Sequence, residues 1–252
     1  MYLDTLEKAV PANNDSLITN KLEYYKVQVF NEFKLKIEYF NTFEIRQIIQ
    51  NKSYLKFKRI FDVIFAFFFL IVLSPLMLLV SSIILLIDHQ LPIFKQRRYG
   101  LNGKIFTIYK FHSVKKDKMK KVVFKVGTNQ ENMKVLIRNR GKGITKVGKI
   151  LKATSIDELP QLFNILKGDM SVVGPRPTIL RFFQEHPQII YSRTLVKPGL
   201  TGLWQVKARD KNKTGYEMIQ YDFDYFNNLT FINDLKIIFQ TFKVIIKKES
   251  AF

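Results

Sequence analysis

The 252-residue chain contains no cysteine. Disulfides, thiolate nucleophiles and cysteine-type zinc sites are therefore excluded, and the composition is compatible with a cytosolic face. Histidine is nearly absent. His89, His112 and His186 are the only three, and no two stand at metal-ligand spacing. Any chemistry must run mainly on carboxylates and cations. Acidic residues are scarce too, 21 against 41 basic, for a net charge of +20 at pH 7. Residues 1–55 hold seven of each sign, so the whole excess lies in residues 56–252. A body this basic suits nucleic acid, anionic lipid or phosphorylated substrates, and composition does not separate them. A basic n-region followed by an apolar core is also lacking at the start, so no secretory signal is expected.

The longest stretch without charge separates the candidate partners. Val63 to Ile87 is twenty-five residues with no ionisable side chain, long enough to cross ~30 Å of hydrocarbon as one helix. Two features favour a re-entrant course over a spanning one. Ser74-Pro75 falls at its middle, where proline removes a helical hydrogen bond. Both flanks are basic, with Lys52, Lys56, Lys58 and Arg59 before and Lys95, Arg97, Arg98 and Lys104 after. Counted by the positive-inside rule, both ends belong on the cytoplasmic side. A helix-break-helix hairpin in one leaflet, bent at Ser74-Pro75, satisfies both, and Ser74 can satisfy a freed backbone group. Nucleic acid is not expected as a partner, because this run is present and nucleic-acid motifs are not.

Other segments carry coarser signals. Residues 1–20 read as a polar lead-in, and Tyr25–Tyr39 alternates around Asn31-Glu32 as a hairpin would, with a helix as the other reading. Ile105 to Phe111 reads as a strand after a turn marked by Gly100 and Gly103. Residues 115–143 read as a basic connection, and Thr178 to Glu185 as a short helix. The basic residues around Lys95–Lys104 are expected to form a solvated or lipid-facing rim. Near the end, Leu235, Ile238, Phe239, Phe242, Ile245 and Ile246 form one helical stripe that either packs on the core or lies on a membrane surface.

The densest signal is Thr154 to Pro177. Asp157 and Glu158 stand before Pro160, which suits a first helical position, and Gly168 is a normal helix stop. Both carboxylates then lie near a positive helix end and stay ionised at neutral pH. Ser155-x-x-Glu158 also fits a capping box, the purely structural alternative. Gly174-Pro-Arg-Pro177 follows, holding Arg176 on a stiff backbone. A held, planar, permanently charged fork suits phosphate. Paired carboxylates with such an arginine suggest phosphoryl chemistry with a divalent metal.

At these residues the chain resembles the bacterial sugar transferase family, the monotopic polyprenyl-phosphate phosphoglycosyl transferases. Tyr109-Lys110-Phe111 and Val196-Lys-Pro-Gly-Leu-Thr-Gly-Leu-Trp204 add further matching elements, and the likeness covers about residues 56–248. The chain departs from the family at His112 and Lys152, where arginine is usual, and at Val114, where methionine is usual. The resemblance implies transfer of a phosphosugar from a UDP-sugar to polyprenyl phosphate at the cytoplasmic membrane face, with release of UMP. It implies Asp157 as nucleophile and Glu158 as a Mg²⁺ ligand. Arg176, Arg209, Lys110 and Lys152 are the implied phosphate-binding cations, and Ser74 and Pro75 the break of a re-entrant membrane helix. The expected class is α+β, mostly helical, with a small β element. The expected organisation is an extension at 1–55, the membrane helix at 56–91 and a catalytic domain at 92–252.

Overall fold

A computed structural model describes residues 52–115, 143–178, 180, 193–207 and 215–246, all within one compact unit, Ile49–Phe252. The lead-in, the hairpin at 25–39, the basic connection beyond residue 115, nearly all of the helix expected at 178–185, and Arg209 lie outside the described residues.

The apolar run forms helix α1, Lys52–Ile87, with Pro75 inside it. By length and composition it is apolar enough to cross a membrane. Two separate helices either side of Ser74-Pro75 are not what the secondary structure contains. Helical pairing survives the proline for a visible reason. The missing N–H of Pro75 would have served the Ile71 carbonyl, and that oxygen instead accepts from Ser74 Oγ at 2.8 Å.

Both ends of α1 are fixed to the body. Near its start, Lys58 pairs with the buried Asp234, which also accepts from Tyr54 at 2.9 Å and Tyr225 at 2.9 Å. Arg59 donates to the Ile165 and Leu166 carbonyls at 2.6 and 2.8 Å, and Asp62 accepts from Ser171 Oγ and the Val172 N–H. Toward its end, Val80 and Ile84 join Phe111 and Leu151 in a buried cluster. Between these anchors Phe67, Phe68, Ile71, Val72, Leu78 and Leu79 are exposed.

Strands β1 (Ile93–Tyr99) and β2 (Ile105–Phe111) form an antiparallel hairpin, joined through a 3₁₀ turn at Leu101–Gly103. Helix α2 (Lys146–Ala153) is capped by Thr145, whose hydroxyl accepts from Gly148 N. Helix α3 (Gln161–Lys167) begins after Pro160 and ends at Gly168, whose φ of 89° is a left-handed stop. Buried Asn164 ties α3 to β2, accepting from Tyr109 N at 3.0 Å and donating to Thr107 O at 2.7 Å. Short strands β3 (Ser171–Val173) and β4 (Gly199–Thr201) pair in parallel. Three helices follow: α4 (Leu203–Lys207), α5 (Gly215–Asn227) and α6 (Phe231–Ile246). Trp204, on α4, is a packing residue with its ring 6.1 Å from Tyr221. The apolar stripe of α6 is divided: Ile238 is buried with Ile237 and Asp234, whereas Phe239, Phe242 and Ile246 are exposed. The expectation that the stripe packs on the core holds for Ile238 alone of these, and the helix seats on Ile237 and Ile238.

Candidate active site

Asp157 and Glu158 sit in a 3₁₀ turn, Ile156–Glu158, wedged between α2 and α3. Ser155 before them adopts a left-handed backbone, φ 58°, and its side chain makes no capping bond. The capping-box alternative is thus not realised. The Glu158 carboxylate faces the pocket instead: Oε1 accepts from Lys110 Nζ at 2.7 Å and Arg176 Nη2 at 3.1 Å. Strand β2 supplies the lysine, held in place because Asn164 grips the neighbouring Tyr109. The Gly174-Pro-Arg-Pro turn supplies the arginine.

The cations around the pair, more than the end of a seven-residue helix, set its charge. Burial pushes Glu158 up, but Lys110 and then Arg176 outweigh it and hold the carboxyl down at about 2. Asp157 goes the other way. Burial first, and Glu158 second, raise it to about 6, against the pull of Lys110, Lys152 and Arg176. The two carboxyls are driven apart, a pattern that separates roles in paired-carboxylate sites. At neutral pH both still carry charge, as the sequence reading expects.

The linkage has a definite sign. Asp157 binds its proton more tightly folded than unfolded, so its contribution to stability is full below its ordinary value of 3.8 and lost as pH rises through about 6. Asp157→Asn removes that titration. The variant should unfold at a higher temperature than the wild type above pH 6, with the gap closing toward pH 4, as followed by calorimetry. A gap independent of pH would mean that Asp157 is not destabilised by ionising.

A small open pocket lies over Glu158, lined also by Lys110, Arg176, Arg98, Gln161, Gly199 and Gln205. Asp157 is not among its lining residues and is 8% exposed. Of the sequence candidates, the structure brings together Asp157, Glu158, Lys110 and Arg176, with Lys152 acting on Asp157 electrostatically from the last turn of α2. Ser74 and Pro75 lie in α1, apart from this group in the chain.

Arg98 corrects the reading of a solvated basic rim. Lys95, Arg97 and Lys104 are exposed as expected, but Arg98 alternates inward with Phe94 and Gln96. Its strand partner is Phe106, on the face of β2 that also carries Ile108 and Lys110. Strict period-two counting from Phe94 contains that signal. Burial and the nearby Arg176 push Arg98 down to about 9, so it remains a cation at neutral pH. Arg193 is missed as well. It is buried, it bonds Asp222 at 2.6 Å, and it sits in no motif that marks it.

Fold and site define an α+β protein with a long apolar helix and an adjacent carboxylate pair at a cationic pocket. The chain belongs to the bacterial sugar transferase family, whose sequence profile matches residues 53–248. It is 36% identical over 211 residues to the undecaprenyl-phosphate galactose phosphotransferase of Salmonella typhimurium, covering 77% of this chain and 41% of that protein. It is 39% identical over 204 residues to the UDP-glucose:undecaprenyl-phosphate glucose-1-phosphate transferase of Klebsiella pneumoniae, with the same shares covered. The exopolysaccharide production protein ExoY of Sinorhizobium fredii is 34% identical over 200 residues, 77% of this chain and 88% of that protein. The chain thus spans about two fifths of the first two relatives and most of the third.

Proposed function

We propose that this protein transfers a phosphosugar from a UDP-sugar to undecaprenyl phosphate at the cytoplasmic face of the bacterial inner membrane, an early step of surface polysaccharide assembly. The observation that carries this reading is the adjacent Asp157-Glu158 pair, the first buried and the second held by Lys110 and Arg176, in a chain whose relatives are named for such transfers.

The residues divide the work as follows. A carboxylate of Asp157, ionised at pH 7, attacks the phosphorus that bears the sugar. A bond from its oxygen to phosphorus forms, the bridging P–O bond breaks, and UMP leaves with the bridging oxygen. An oxygen of the lipid phosphate then attacks the same phosphorus. The Asp157–phosphorus bond breaks, and the aspartate is regenerated as a carboxylate. Lys110 and Arg176 orient the diphosphate and offset the charge developing on its oxygens. Arg209 and Lys152 are assigned to the same task.

The donor set fits Mg²⁺. No group of three or more metal-ligating side chains occurs among the described residues, but Mg²⁺ ordinarily takes one or two carboxylates plus substrate phosphates. Glu158 would hold it through the oxygen not used by Lys110 and Arg176. The ion supplies neutralisation of the diphosphate charge.

The membrane course proposed for α1 is re-entrant, with the bend near Ser74-Pro75. Support comes from its anchoring, since Lys58, Asp62, Val80 and Ile84 contact the body while Phe67, Phe68, Ile71, Val72, Leu78 and Leu79 between them are exposed. Cysteines introduced at Lys52 and Lys104 should label only from the cytoplasmic side. Labelling of either from outside indicates a spanning helix and ends the re-entrant reading.

The function is tested by incubating detergent-purified protein with undecaprenyl phosphate and a panel of UDP-sugars while UMP is measured. Release from one or a few sugars, dependent on the lipid for full turnover, is expected. No release from any of them makes the protein a membrane-anchored scaffold instead.

A further inference from the structure

We infer that Arg98 and Arg193, the latter backed by Asp222, are positioning residues that aim Arg176 into the pocket. This rests on the reading of Arg176 as a phosphate ligand.

The Arg176-Pro177 dipeptide presents two successive carbonyls, and each is held by a separate guanidinium. Arg193 Nη2 donates to Arg176 O at 3.1 Å, and Arg98 Nη1 donates to Pro177 O at 3.1 Å. The turn is poor in donors of its own because Pro175 and Pro177 lack N–H groups. Its carbonyls therefore need partners from elsewhere in the fold. They come from opposite directions in sequence, one from β1 and one from the segment before β4.

Both holders are themselves locked. Arg193 is 4% exposed, and its Nε donates to Asp222 Oδ2 at 2.6 Å, with Asp222 equally buried on α5. Arg98 Nη2 donates to Gln96 Oε1 at 2.5 Å, on the same face of β1. By contrast the Arg176 side chain is 38% exposed, reaching Glu158 with its free end. A fixed backbone under a reaching side chain determines where the fork can go.

The choice of arginine at position 98 is costly unless its charge is used. A carbonyl is satisfied as well by a neutral amide, and burying a cation carries a desolvation penalty. Arg193 has Asp222 to balance it. Arg98 makes no ion pair with a carboxylate among the described residues, and the carboxylate that acts on it, Glu158, already serves Lys110 and Arg176. Arg98 Nε is also buried without a hydrogen-bond partner. Three cations thus face the pocket over one adjacent carboxylate pair, and an entering diphosphate completes the balance.

Positioning through Arg176 has a signature that a purely structural role lacks. Arg98→Lys and Arg193→Lys keep the charge and lose the fork geometry. Each should lower kcat/KM for UMP release by tenfold or more, up to about 10²-fold, as displacement of a binding group by an ångström does. In an Arg176→Ala background, where there is no fork to aim, either change should shift kcat/KM by less than about twofold. Single-turnover UMP release measures all six proteins, with thermal unfolding run alongside. Losses that multiply in the Arg176→Ala background overturn the clamp, as does undiminished kcat/KM in both lysine variants. Should Arg193→Lys fail to accumulate as folded protein, the Arg98→Lys cycle alone decides. Full activity of Arg176→Ala removes Arg176 as a phosphate ligand, and the clamp with it. A wild type that releases no UMP overturns the functional reading itself, a result separate from multiplicative losses in an active enzyme.

Discussion

Asp157→Asn is expected to abolish turnover, with kcat falling by on the order of 10⁴-fold or more, the scale seen when an attacking group is removed. The substitution keeps the size and shape of the side chain and removes only the attacking charge. Burial and the adjacent Glu158 make that charge energetic, since they raise the group to about 6 while leaving it ionised at neutral pH. A carboxylate with a raised value is a better nucleophile than one stabilised by close cations, which is the state of Glu158. The two residues therefore should not fail alike. Glu158→Gln is expected to weaken activity with partial recovery at high Mg²⁺, whereas no metal concentration should restore Asp157→Asn. Mass spectrometry of protein incubated with UDP-sugar and no lipid acceptor is the decisive measurement. An adduct of sugar phosphate on Asp157 is expected in the wild type and none in the variant. An adduct on another residue, or turnover by Asp157→Asn, overturns the two-step route.

Gly199→Ala should be severely damaging although it adds only one methyl group. A methyl group at that position would meet Gly174 N at 2.1 Å, Thr201 O at 2.2 Å and Gly174 O at 2.7 Å. All three are backbone atoms, so no side chain can swing aside. The close approach is what lets Gly199 N reach Pro175 O and Ser171 N reach Pro198 O, both at 2.9 Å. It thereby seats the arginine turn against β4 at the pocket wall. Forcing the two segments apart should cost about 3 kcal/mol or more, the upper end of what overpacking does. The unfolding midpoint should fall accordingly, and the fraction that stays folded should bind UDP-sugar weakly because Arg176 moves with its turn. A variant with wild-type midpoint and wild-type KM would mean that the β3–β4 approach is looser than 2.1 Å implies.

Much of this protein is legible along the chain because the physics there is local. Period-two alternation from Ile105 to Phe111 gives β2, and with it the position of Lys110. Pro160 and Gly168 bracket α3 to within a residue, since one lacks a donor and the other tolerates a left-handed φ of 89°. The charge-free run from Val63 to Ile87 becomes α1, and Ser74 takes over the carbonyl that Pro75 abandons. Asp157, Glu158 and Arg176 stand within twenty residues of one another in a dense motif, so their candidacy needs no tertiary information.

What the tertiary structure decided is which charges meet. Nothing near Glu158 in sequence indicates that Lys110, 48 residues away, will hold one of its oxygens. Asp234 gathers Tyr54, Lys58 and Tyr225 from as far as 180 residues off. Arg98 reads as one more rim cation until the fold turns its face of β1 inward beside Pro177. Arg193 carries no local pattern at all, yet it holds the backbone of Arg176. Local sequence determines backbone preference and apolar periodicity because those depend on neighbours a few residues apart. The pairing of buried charges depends on which segments are brought together in space, so it was settled only when α1 met Asp234 of α6 and when the hairpin and the arginine turn closed over the same pocket.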